Sequence, residues 1–231
     1  MEEVKPPFSG TPSDTAFSTK ITRRRWLSES TFELTLSSPN HFTFEPGQRI
    51  RLIHNSMERD YSLTSAPSEP VLTVCIRKVE GGLFSTALSQ LSEGTSLEFT
   101  GPHGYFTFKP SAQVPVFIAT GTGIAPFVSM RRSLRIRPIM LHGARAVSGL
   151  FFSEVFRAVS GQYIPCLTAP VDAHGQLIGA FLGRVTDYLR SQLPRENYDF
   201  YLCGNSEMIR DAIFIIDQHF SGSLVYTEIY Y

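Results

Sequence analysis

The sequence predicts an antiparallel, Greek-key-like β-barrel followed by a doubly wound α/β domain with a parallel sheet. Three observations predict it. The first half is made of short β-type runs separated by turn clusters, and the second half alternates apolar strands with helical segments. Between the halves, Lys109-Pro110-Ser111 interrupts both rhythms, which places the division at 17–111 and 112–231 and leaves 1–16, acidic and rich in Pro and Ser, as a disordered extension.

The β-type runs are TFELTLSS, QRIRLIHN, RDYSLTS, VLTVCIRKV and SLEFTG, several of which alternate in polarity. Their separators PNHFTFEPG, SAPSEP and EGG come at the intervals of an antiparallel barrel or sandwich. One helix interrupts them, LFSTALSQL, and its spacing sets Leu83, Phe84, Ala87, Leu88 and Leu91 on one face. Beyond Ser111, VPVFIAT, PIMLHGA, YIPCLTA, YDFYLCG and SLVYTEIYY read as strands. IAPFVSMRRSL, LFFSEVFRAV, AFLGRVTDYLRSQL and SEMIRDAIFIIDQHF read as helices. Apolar strands joined by helical crossovers imply a parallel sheet covered on both faces.

Composition excludes several function classes. The 231 residues carry 21 basic and 21 acidic side chains, so no global charge favours nucleic acid. The three cysteines, Cys75, Cys166 and Cys203, are far apart and form no CxxC pair for zinc or an iron–sulfur ligand set. A disulfide framework is not expected, and neither an export signal nor a membrane span is visible, so the reading is cytoplasmic. Two basic clusters, Arg23 to Arg25 and Arg131, Arg132, Arg135 and Arg137, are solvated faces or a dock for an acidic protein.

Chemistry concentrates in a few motifs. Arg59-Asp60-Tyr61-Ser62 lies on a strand, where alternation sends Arg59 and Tyr61 to one face and Asp60 and Ser62 to the other. Gly81-Gly82-Leu83-Phe84-Ser85 opens the barrel helix, whose free N–H groups and positive end suit an anion such as a diphosphate. Val116 to Thr120 runs into Gly121-Thr122-Gly123-Ile124-Ala125-Pro126, a tight turn into a helix with Pro in the first turn. It departs from GxGxxG and from the Walker pattern, yet a nucleotide-binding turn after the first parallel strand is its natural reading. Cys203-Gly204-Asn205 ends another parallel strand and Met208 follows in the next helix, at the end of the sheet where open α/β folds hold ligands. Glu228-Ile229-Tyr230-Tyr231 is aromatic enough to suggest a ring packed on something flat.

Together, RDYS at 59–62, GGLFS at 81–85, GPHGYF at 101–106, GTGIAP at 121–126 and CGNSEM at 203–208 resemble, in family order, the ferredoxin-NADP reductase superfamily. That resemblance implies a flavin-binding barrel and a nicotinamide-binding α/β domain, with FAD and NADP or NAD as cofactors. It implies that Arg59 pairs with the flavin diphosphate, that Tyr61 packs on the isoalloxazine and that Ser62 hydrogen-bonds near N5. Gly82, Leu83, Phe84 and Ser85 would hold the diphosphate, with Asp60 and Arg77 further cofactor-binding candidates. Gly121, Thr122 and Gly123 would take the dinucleotide diphosphate, and Cys203, with Gly204, Asn205 and Met208, would lie by the nicotinamide. Ser62, Cys203, Glu228 and Tyr230 are the catalytic candidates; Glu228 and Tyr230 match the family's terminal Glu-x-aromatic, which Tyr231 overruns by one residue. Arg145 and Ser148, with no acidic residue at that strand end, favour NADPH over NADH. The expected reaction is hydride transfer between NAD(P)H and FAD, with electrons passed to a one-electron carrier such as ferredoxin or flavodoxin. Free-flavin reduction and a flavin-bearing subunit of a larger complex are the alternatives.

Overall fold

The β-branched and aromatic runs of the first half pair into one antiparallel sheet. The computed structural model describes residues 15–157, 163–169 and 179–230, so most of the extension expected at 1–16 lies outside the described residues. The strands are β1 (Phe17–Trp26), β2 (Thr31–Ser37), β3 (Arg49–His54), β4 (Met57–Ser62), β5 (Val71–Arg77) and β6 (Ser96–His103), in the order β4-β3-β6-β1-β2-β5. A bridge between Leu63 and Val74 brings the two edge strands together and curls the sheet towards a barrel. β1 was not among the runs singled out above; its basic stretch Arg23 to Arg25 masks the alternation, and only Thr19 and Ile21 of the strand are buried.

Helix α1 (Leu83–Gln90) plugs this sheet with Phe84 and Leu88, which join Ile21, Phe32, Leu34, Ile50, Leu52 and Phe99 in one core. Each such side chain taken from water stabilises the fold by about 1.5–3 kcal/mol. Leu83, expected on that buried face, is instead 76% exposed. It is the first helical residue and lines a cleft, while the next residue, Phe84, enters the core.

The second half forms a parallel sheet in the order β10-β9-β8-β7-β11-β12. Its strands are β7 (Val114–Thr120), β8 (Ile139–Ala144), β9 (Tyr163–Leu167), β10 (Phe181–Leu182), β11 (Tyr198–Asn205) and β12 (Leu224–Tyr230). Helices α2 (Ala125–Ser133), α3 (Ser153–Arg157), α4 (Val185–Ser191) and α5 (Ser206–His219) cover it. AFLGRVTDYLRSQL is not a single helix, because Phe181 and Leu182 add a short edge strand to β9 and the helix starts only after Gly183 and Arg184. Gly183 has φ +149, which ends the strand before α4 can begin.

The halves share an apolar seam. Phe106 packs edge-on against Phe127 and Tyr201, and Cys75 of the barrel joins the same core as Phe117 and Tyr201. Polar contacts fix the seam: Ser129 Oγ donates to the Ser65 carbonyl at 2.7 Å and Arg132 Nη1 to the Thr64 carbonyl at 3.0 Å. Arg132, with its guanidinium also over the Phe152 ring, is thus a seam residue before it is part of any docking patch.

His142 is fully buried in β8, its Nδ1 bonded to the Tyr163 hydroxyl at 3.0 Å and its Nε2 without a partner among the described residues. Burial lowers its pKa from 6.5 to about 3. The unfolded chain therefore binds this proton first: the stabilisation is complete above pH 6.5 and drains away as pH falls towards 3, about 2 kcal/mol being gone at pH 5. His142→Gln, which does not titrate, should lose correspondingly less stability between pH 7 and pH 5 in urea unfolding. Parallel losses in the two proteins would refute this.

Candidate functional site

The parallel sheet reverses direction at β7, and ligands of open α/β sheets sit in the crevice outside the strand ends at such a point. Here the turns after β7 and β11 lie back to back. A short 3-10 turn, Gly121–Ile124, leads into α2, and a Cβ at Gly123 would stand 2.6 Å from Gly204 Cα and closer still to the Cys203 carbonyl. Gly204, at φ +139, has the same relation to Thr120, whose Oγ1 accepts the Asn205 N–H at 3.3 Å. Glycine at both places lets the two turns close on each other.

The two helix starts then differ. The Asn205 side chain caps α5 by accepting from the Glu207 and Met208 N–H groups, at 2.8 and 3.3 Å. No side chain caps the turn at Gly121 or the start of α2, so its N–H groups are open to an anion. Asn205 and Met208 still line the larger cleft, of about 780 Å³, together with Arg145 and Ser148.

A second cleft of about 610 Å³ runs along the barrel face. Arg59 and Tyr61 line it, as alternation along β4 requires, and Tyr61 lies nearly parallel to Phe84 with ring centres 6.3 Å apart. Burial raises the Tyr61 phenol's pKa, with Arg59 pulling the other way, so this ring stays neutral. Gly82, Leu83, Phe84 and Ser85 form the opposite wall, at the start of a helix that also lacks a side-chain cap. Ser62 reaches the cleft too, although alternation sets it with Asp60.

Asp60, expected among the cofactor-binding residues, faces away with its own partners. It is outside both clefts and holds Arg49 Nε at 3.0 Å and Arg51 Nε at 2.7 Å. Partial burial works against its charge, but the two guanidiniums hold the carboxyl below its ordinary pKa. Glu228, expected in the catalytic set, also lies outside the two clefts: its carboxylate accepts from Arg49 Nη1 at 2.7 Å. Cys203 and Gly123 lie behind the lining, Cys203 fully buried in β11 beside β12. Burial, reinforced by Glu228, pushes the Cys203 thiol well up, which leaves it a shape-giving group and not a nucleophile.

The two clefts adjoin. Arg77, Thr120, Gly121, Thr122 and Asn205 line both. At this junction the buried hydroxyls of Ser62, from β4, and Tyr230, from β12, come close to each other without reaching good hydrogen-bonding geometry, and neither has a better partner among the described residues. Burial, then the nearby Cys203 sulfur, pushes the Tyr230 phenol well above its usual range, so it remains a neutral donor. Tyr231 lies outside the described residues.

Several lining residues carried no sequence signal strong enough to single them out. Thr120 ends the strand one residue before the glycine turn, and Cys75 shares the Arg77 side of β5, so both were within reach of alternation. Arg184 and Thr186 enter the larger cleft from the start of α4, where the pattern read as continuous helix. No group of three or more metal-ligating side chains occurs among the described residues, and no described helix is long and apolar enough to cross a membrane.

Comparison with known proteins gives the same division of chemistry. The family model for the oxidoreductase FAD-binding domain matches residues 18–108, and that for the oxidoreductase NAD-binding domain matches 117–213. The toluate 1,2-dioxygenase electron transfer component of Pseudomonas putida is 31% identical over 205 residues, 82% of this chain and 60% of that protein. Ferredoxin–NADP reductase B of Sorangium cellulosum is 37% identical over 130 residues, 52% of this chain and 53% of its own length. The chain thus spans about half to three-fifths of these curated relatives. Among solved structures, a Neisseria gonorrhoeae ferredoxin NADP+ reductase with bound FAD and NADP shares the fold with TM-score 0.80 at 21% identity, over 94% of this chain and 99% of that one.

Proposed function

The chain belongs to the ferredoxin-NADP reductase superfamily, and from that premise we propose that it passes reducing equivalents between NADPH and a tightly held FAD, and from there to a one-electron carrier such as ferredoxin or flavodoxin. The observation that carries this reading is the junction: two clefts, each with a helix start that no side chain caps, share a wall beside the buried Ser62 and Tyr230 hydroxyls, which lie close together but in poor hydrogen-bonding geometry. Buried hydroxyls rarely go unpaired, and a heteroaromatic nitrogen with its own hydrogen-bonding edge would answer Ser62.

When bound, the two cofactors supply the hydride chemistry themselves. The chain's residues bind, orient and exclude water. Residues 17–111 would hold FAD, with Arg59 and the N–H groups from Leu83 onward receiving its diphosphate, the Gly82 N–H being taken by the Val79 carbonyl at 2.9 Å. Residues 112–231 would hold the nicotinamide nucleotide, with the Gly121 turn receiving its diphosphate. Tyr61 offers one flat face and Tyr230 the other, and Tyr230 must yield for the nicotinamide to stack. Arg145, Ser148 and Arg184 line the larger cleft beside the end of β8 and favour a 2′-phosphate there, hence NADPH over NADH, although Glu207 and Asp211 line the same cleft from α5.

A yellow purified protein that NADPH bleaches in a stopped-flow mixer is the expected result, and a colourless protein that refuses excess FAD would end this reading. A protein that reduces flavin only as a free substrate would fall on the same test. Ser62→Ala should keep the colour while slowing bleaching about tenfold, as befits one lost hydrogen bond. An unchanged bleaching rate would remove Ser62 from its place.

A further inference from the structure

We propose that Arg49 is a positioning residue that latches β12 to the barrel and so sets how readily Tyr230 gives way to the nicotinamide. This rests on the reading of the clefts given above. β12 is an edge strand: β11 pairs with it on one side, Asn205 opposite Tyr230 and Cys203 opposite Glu228, and among the described residues no strand pairs on the other. Such an edge is held less firmly than a central strand. The side chain that ties it to the barrel is that of Arg49, in β3, register-paired with Ser62 of β4.

The guanidinium is held from two sides. Arg49 Nε donates to Asp60 Oδ2 at 3.0 Å and Nη1 donates to Glu228 Oε1 at 2.7 Å, so one side chain joins the strand that carries Ser62 to the strand that carries Tyr230. Asp60 is itself fixed, because Arg51 Nε donates to its other oxygen at 2.7 Å. Room for the guanidinium comes from Gly104, at φ +88, where a Cβ would lie 2.6 Å from Arg49 Nη1. The Glu228 side chain is only 14% exposed and Arg49's 30%, so solvent screens this pair less than it screens the Arg51–Glu58 pair at the surface.

Glu228 and Tyr230 are two residues apart and share one face of β12. A movement of the strand end that withdraws the Tyr230 ring must therefore drag the Glu228 carboxylate away from Arg49. The ion pair is intact only while Tyr230 covers its place, which makes it a bias towards the covered state.

The test compares Arg49→Met, Arg49→Lys and Glu228→Gln with the unaltered chain. Amide exchange of the peptide spanning 224–230, followed by mass spectrometry with and without FAD, should be several-fold faster in Arg49→Met and Glu228→Gln, with Arg49→Lys between. In the FAD-loaded protein the KM for NADPH should fall several-fold, with kcat lower because the nucleotide leaves more slowly. Exchange in this peptide as slow as in the unaltered chain overturns the latch, and so does faster exchange with KM unmoved. Glu228→Gln keeps the shape of the side chain and serves if Arg49→Met does not fold. If the protein takes no FAD, the functional reading fails, while exchange in the flavin-free protein still decides whether the latch exists.

Discussion

Arg59→Ala should weaken FAD binding about 10- to 100-fold, enough for the purified protein to lose most of its colour on dilution. Arg25, Arg49 and Arg51 are each paired with a carboxylate, at 3.0, 2.7 and 2.7 Å. Arg59 has no carboxylate partner among the described residues; its Nη1 donates only to the Glu58 carbonyl at 2.6 Å. A guanidinium without a counter-charge, lining a cleft whose other wall is an uncapped helix start, is two sources of positive potential facing one space. A diphosphate bridging them would gain charge-assisted hydrogen bonds of about 1.5–3 kcal/mol from Arg59, which converts to that loss of affinity. Titrating flavin-free protein with FAD measures it. A dissociation constant unchanged by the substitution would place the diphosphate elsewhere.

What the sequence disclosed, and what it hid, follows the range of the interactions. Strand and helix rhythm is local, so the antiparallel-then-parallel order was legible from alternation and apolar runs, and with it the position of each glycine turn at a strand end. Helix α1 was legible as a helix, but not Leu83's exposure, because its face towards the cleft is decided by a partner the pattern does not contain. Arg59 and Tyr61 followed from strand alternation. Asp60 and Glu228 did not, because their partners are set by tertiary pairing: Arg49 and Glu228 are 179 positions apart. The same holds for Arg132, whose bond to Thr64 spans 68 positions and turns a would-be surface cluster into part of the seam.

The two glycines of the turn after β7 should fail for different physical reasons, and Gly123 should be the more costly. Alanine at Gly123 would drive its Cβ into the Cys203 carbonyl and to 2.6 Å from Gly204 Cα. These are backbone atoms of the neighbouring turn, which cannot rotate aside, so one turn must move by roughly 1 Å to reach ordinary contact. Overpacking of this kind costs about 1–3 kcal/mol of stability, or about 2–12 °C in Tm for a chain of this size. A displacement of about 1 Å at a positioning turn can cost about 100-fold in rate. Gly123→Ala should thus bind FAD through the barrel residues, unfold at lower temperature and bleach with NADPH about 100-fold more slowly. At Gly121 a Cβ meets nothing within 4 Å, but φ is +57 and the residue lines both clefts. Gly121→Ala should cost only the left-handed backbone, about 1 kcal/mol, and act chiefly by standing in the space the nucleotide needs. It should raise the KM for NADPH with a smaller fall in Tm than Gly123→Ala. Equal losses of Tm in the two variants, or undiminished bleaching in Gly123→Ala, would show that the two turns do not support each other as their packing implies.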